Sequence, residues 1–163
     1  MRTQWKLALS LGPVLVAALM VVPTAATSAP TSVSGVWSTT PVTVTGFKLA
    51  GVNVKLPGNV VSTWSGDLTG TTLATATFIV RPDGSVVAAP TRETLTGTVS
   101  GVGTGTLDFV EEAHGQPDGS TEIDATMISG TGQLAGLHGR LIFLGTCDAS
   151  GACTGTYRGQ IEG

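Results

Sequence analysis

Charge is scarce in this chain: 12% of its 163 residues are Asp, Glu, Lys or Arg, about half the share in an ordinary soluble domain. The eight Lys and Arg stand singly, so no basic stripe exists to track a phosphate backbone, and nucleic acid is not an expected partner. Aromatic residues make up 5%, and there are two histidines. Those two, His114 and His138, lie in turn-rich stretches without a third ligand at metal-binding spacing, so no metal site is expected. No Gly-x-Ser-x-Gly occurs, which removes the nucleophile elbow. The glycine-rich runs 101–105 and 130–139 precede no helical pattern. Without a helix N-terminus they cannot cradle phosphate, so they read as turns, and no cofactor is expected. Low charge with 41% hydrophobic residues still argues for a folded chain.

One long apolar run is present, Leu7 to Val22, broken by Ser10, Gly12 and Pro13. Arg2 and Lys6 precede it and the small residues Thr24 to Ala29 follow, the order of a signal peptide. The run is also shorter than the roughly 20 residues that cross a bilayer, so no membrane anchor is expected after cleavage. The reading divides the chain into a leader over 1–28 and a single domain over 29–163. No Arg-Arg pair or cleavage-zone Cys is present, which implies the general secretory route without lipidation. The exported part then carries six basic and eleven acidic residues, a net charge of -5. Export makes the two cysteines readable. Cys147 and Cys153 flank the polar loop Asp-Ala-Ser-Gly-Ala between two strand-like runs, and the expectation is a disulfide across the mouth of one hairpin.

After Ser28 no segment shows helical periodicity over three turns; β-branched runs are cut by Gly, Pro, Asn and Asp roughly every 8 to 14 residues. Strands are predicted over 33–45, 47–56, 60–65, 71–81, 85–99, 103–113, 121–129, 139–147 and 153–161. The tetrapeptide Pro-Asp-Gly-Ser occurs at 82–85 and again at 117–120. Each fixes φ at Pro and supplies a positive φ at Gly, so each should reverse the chain. Eight or nine antiparallel strands must pack as two sheets or close into a barrel. Glycines inside strand patterns at Gly97, Gly145, Gly155 and Gly159 permit the sharp curvature of a barrel.

The stretches Ser65-Gly66-Asp67-Leu68-Thr69-Gly70, Glu93-Thr94-Leu95-Thr96-Gly97-Thr98-Val99 and the Gly130 to Gly139 run resemble a bacterial domain-of-unknown-function family, DUF3224. That family is placed with the allene oxide cyclase-like barrels, which include the plant dirigent proteins. The resemblance covers about Thr63 to Ile161 and implies an eight-stranded antiparallel β-barrel with a central apolar cavity. It also implies the possibility of homo-oligomers, and a role for the Glu ahead of the Thr-Gly, here Glu93.

Strand alternation sorts the side chains independently. Glu93 shares a face with Thr91, Leu95, Gly97 and Val99, an apolar set that should line the interior. A carboxyl buried there rises in pKa and becomes able to exchange a proton near neutrality. The other reading is an ion pair with Arg81 or Arg158 that knits neighbouring strands. Leu107, Phe109 and Glu111 share the inward face of the next strand, and Ile123, Ala125 and Met127 that of the one after. The expected binding residues are thus Trp64, Leu95, Phe109, Glu111, Met127 and Tyr157, with Glu93 as the catalytic candidate. Two function classes follow. One is a secreted protein that binds a small apolar ligand in the cavity, the other a cofactor-free isomerase or cyclase that folds a flexible apolar substrate.

Overall fold

The computed structural model describes residues 29–163; the leader expected over 1–28 lies outside them. Ten strands follow in order: β1 Thr31–Thr39, β2 Thr43–Val44, β3 Lys48–Ala50, β4 Asn53–Gly66, β5 Leu68–Val80, β6 Val86–Val99, β7 Gly103–Gly115, β8 Ser120–Gly130, β9 His138–Cys147 and β10 Cys153–Glu162. From β4 onward each strand pairs antiparallel with the next, and β1 closes the ring by pairing with both β10 and β4. The fold is the predicted closed eight-stranded antiparallel β-barrel, with β2 and β3 as two additional short strands on β4. Alternation drives it. In β7 the inward Leu107, Phe109 and Glu111 are buried while the residues between them are less so, as a half-buried strand of period two requires.

The N-terminal strands differ from the expectation. The run predicted as one strand over 33–45 stops at Thr39 and resumes briefly as β2. The strand predicted over 47–56 is split by a turn at 51–52 into β3 and the start of β4, and β4 then runs on across Pro57 and Gly58 through the strand predicted over 60–65. Proline lacks a ladder donor and is tolerated where pairing is sparse. Here β1 covers only the Ser62–Gly66 part of β4, and its other half pairs on that side with β2 and β3 alone. The Pro57 carbonyl accepts from Thr45 N at 2.8 Å. Pro90 likewise lies at a bulge, where the β6 register with β7 shifts between Ala88 and Thr91. The extra residue re-phases the strand so that Thr91, Glu93 and Leu95 all turn inward.

The two Pro-Asp-Gly-Ser turns do reverse the chain, joining β5 to β6 and β7 to β8. In each the Ser N–H and hydroxyl both donate to the Asp two residues earlier, Asp83 and Asp118. Asp148 and Ser150 repeat the arrangement between β9 and β10. There Cys147 and Cys153 face each other in register and form a disulfide, S–S 2.03 Å.

These three turns lie at one end of the barrel. The opposite end is solid. Leu68, Leu95, Val99, Leu107 and Leu141 are fully buried there, and Leu134, carried in on the 3-10 turn Gly132–Leu134, plugs the opening. The most specific part of the family-like sequence, 130–139, is thus a closure. Thr131 bonds Thr106 and Gln133 accepts from Thr104 N at 2.9 Å, pinning the plug to β7.

Candidate functional site

Between the plug and the turns lies a layer of rings. Trp64 sits 4.9 Å from Phe143, 5.4 Å from Phe109 and 5.6 Å from Tyr157 by ring centroids, and Trp37 meets Phe143 edge-on at 5.8 Å. Above this layer several inward positions are alanines, Ala74, Ala76, Ala88 and Ala113, and the interior is not filled. What remains is a cavity of about 680 Å³. It opens between the turns at Gly84, at Gln116 to Gly119 and at Asp148 to Gly151, which contribute to its lining.

Three of the predicted site residues come together on its wall: Trp64, Glu93 and Glu111. Leu95, Phe109, Met127 and Tyr157 are also inward and buried, but they belong to the packed core and not to the cavity lining. Tyr157 is fully committed elsewhere: its hydroxyl donates to Leu68 O at 2.9 Å and accepts from Leu68 N at 2.8 Å. Burial raises the pKa of that phenol, and the hydroxyl tethers β10 to the start of β5 across the closed end. Cys147 and Cys153 border the mouth.

Glu93 and Glu111 are 5% and 7% exposed. Neighbouring strands present them to one another, since Thr91 pairs with Glu111 and Glu93 with Phe109 in the β6–β7 ladder. The ion pair considered for Glu93 does not form. Arg81 reaches Ser85, and among the described residues the ion pairs are His114 with Glu112, His138 with Glu162 and Arg140 with Asp124. Glu93 instead accepts from the buried Thr72 hydroxyl and bonds Glu111. Burial, the adjacent Glu93 charge and that hydrogen bond push Glu111 well above its ordinary value of 4.5. The two side chains therefore form a buried carboxyl pair that faces an apolar chamber, where burial favours retention of a proton.

This has a consequence for pH. A carboxyl with a raised folded pKa binds more protons folded than unfolded, so its contribution is lost as pH climbs from about 4.5 through the folded value. Glu111→Gln should remove that loss and stabilise the protein at pH 8 by about 1–3 kcal/mol, with little change at pH 4. Equal urea midpoints for the two proteins at pH 8 would show that Glu111 is not destabilised by ionisation. Asp83, Asp118 and Asp148 act oppositely. Hydrogen bonds from Ser85, Ser120 and Ser150 hold them below the usual carboxylate range, and their contribution is lost as pH falls.

Trp37, Thr72 and the inward alanines were missed at the level of sequence. Trp37 lines the cavity, is 4% exposed, and its indole N–H has no hydrogen-bond partner among the described residues. The available signal was its spacing from Val33 on the inner face of β1. Its indole fits because β9 carries Gly145 there, where a Cβ would stand 3.0 Å from Trp37 Cζ2.

A family profile described as "Protein of unknown function (DUF3224)" matches residues 36–157. No curated protein and no solved structure matches the chain.

Proposed function

Since the chain belongs to the DUF3224 family, whose description assigns no activity, we propose from its own cavity that it is a secreted protein that binds a small lipophilic molecule. One observation carries this reading: a single barrel packs one end solidly with leucines and leaves about 680 Å³ open at the other, walled by Ala, Val and aromatic side chains. That volume lies within the range of small-molecule sites, and so does a mostly apolar wall with few polar groups. Export accords with the leader-like 1–28 segment and with the Cys147–Cys153 disulfide. A neutral environment-sensitive naphthyl dye should enter the folded, oxidised protein with a Kd on the order of micromolar, seen as a blue-shifted emission. Absence of any uptake by such a sample removes the proposal.

A second reading has its own support. The resemblance to allene oxide cyclase-like barrels suggests a cofactor-free isomerase or cyclase, and Glu111 bonded to Glu93 inside the chamber is a pair able to give and take a proton. On that reading Glu93→Gln abolishes turnover while the thermal midpoint stays nearly unchanged. A variant that melts far lower would assign Glu93 to the framework.

A further inference from the structure

We infer that the occupant of this cavity carries a basic nitrogen: the chamber is built for a lipophilic amine whose ammonium group is held by Glu93 and Glu111. The inference rests on the cavity-binding reading and names the class of ligand within it.

Among the described residues, no counterion stands beside Glu93 or Glu111. Two carboxyl groups face one apolar space, and among the described residues their hydrogen-bond partners are Thr72 and each other. Among the described residues no Lys, Arg or His lines the cavity. A carboxylate removed from water normally finds a cation, because solvation lost on burial is recovered only by pairing. An ammonium group entering between the two carboxyls supplies the missing charge. A neutral ligand leaves the pair uncompensated, and a carboxylate ligand adds a third like charge.

The surroundings agree with that assignment. Trp37, Trp64 and Phe143 form part of the wall, and aromatic faces attract cations, most strongly out of water. The approach is acidic as well. Asp118 and Asp148 border the opening and Asp83 stands in the adjoining turn, beside Gly84. All three are held in the charged form by their serine hydrogen bonds. Over 29–163 the net charge is -5. Such a field concentrates cations at the entrance and repels anions.

Three probes with one aromatic skeleton separate the possibilities: naphthylmethylamine, naphthylmethanol and naphthoate, titrated into the purified protein at neutral pH by calorimetry. The amine should bind at least about tenfold tighter than the alcohol, with naphthoate weakest. In the double variant Glu93→Gln, Glu111→Gln, the amine and the alcohol should bind within about twofold of each other. An alcohol that matches or exceeds the amine in the unaltered protein overturns the inference but leaves the cavity reading intact. So does an amine preference that survives in the double variant. If none of the three binds a folded sample, the cavity reading falls too. The comparison within the unaltered protein decides the matter even if the double variant does not fold.

Discussion

Gly35→Ala should leave the protein unfolded, or destabilised by more than about 4 kcal/mol. Gly35 lies in β1 opposite Gly66 of β4 and opposite Tyr157 of β10, at the seam where the barrel closes. A Cβ at Gly35 would stand 2.1 Å from the Ser65 carbonyl oxygen and 2.4 Å from the Tyr157 hydroxyl. The first of these is backbone within the ladder and cannot swing away. The second is the hydroxyl that holds both backbone groups of Leu68. One methyl group therefore forces β1 away from its neighbours at the seam where it joins β10 to β4. Tyr157→Phe isolates the second part of the effect. It removes the hydroxyl, leaves Leu68 N and O unpaired, and should cost about 1–3 kcal/mol while the far-ultraviolet spectrum stays that of a β protein. A Gly35→Ala protein with a urea midpoint near that of the unaltered chain would mean that β1 does not close the barrel in the way described.

Trp64→Ala should cost about 3–5 kcal/mol, the range for deleting a large buried aromatic. Trp64 touches three other rings and forms both the top of the core and the base of the chamber. Its loss leaves a void between Phe109, Phe143 and Tyr157 that rigid strands cannot close. Ligand binding reports on the same residue. With the ring gone the chamber deepens toward the plug, so a probe longer by one ring should gain affinity relative to naphthyl compounds in the variant. A loss below about 1 kcal/mol, or an unchanged preference for the shorter probe, would show that Trp64 does not separate core from chamber.

The inner face of the barrel was open to sequence reasoning because strands alternate strictly. Glu93, Leu95, Phe109, Glu111 and Met127 are all inward, as period two requires. Turn chemistry was equally local. Pro-Asp-Gly-Ser carries its own hydrogen-bonding aspartate and left-handed glycine, so both hairpins could be placed without knowing what they joined. The strand end ahead of Pro41 and the continuation of β4 across Pro57 were not local. Proline ends a strand where both sides are paired and is accommodated where one side is sparse, and the identity of the neighbour is a property of the closed ring.

The amino-acid order alone determined that the chain over 29–163 is a run of antiparallel strands, which residues turn inward, and that Cys147 and Cys153 meet across a hairpin, since all three follow from spacing of a few residues. Only the tertiary structure decided which inward residues meet a solid core and which meet open space. That division depends on the summed volume of side chains that eight strands bring to each level of the axis. Leucines and the Leu134 plug fill one end, whereas alanines on β5, β6 and β7 leave the other hollow. Pairing of Glu93 with Glu111 instead of an arginine has the same origin: strand register, set by the whole closed sheet, chose the neighbour.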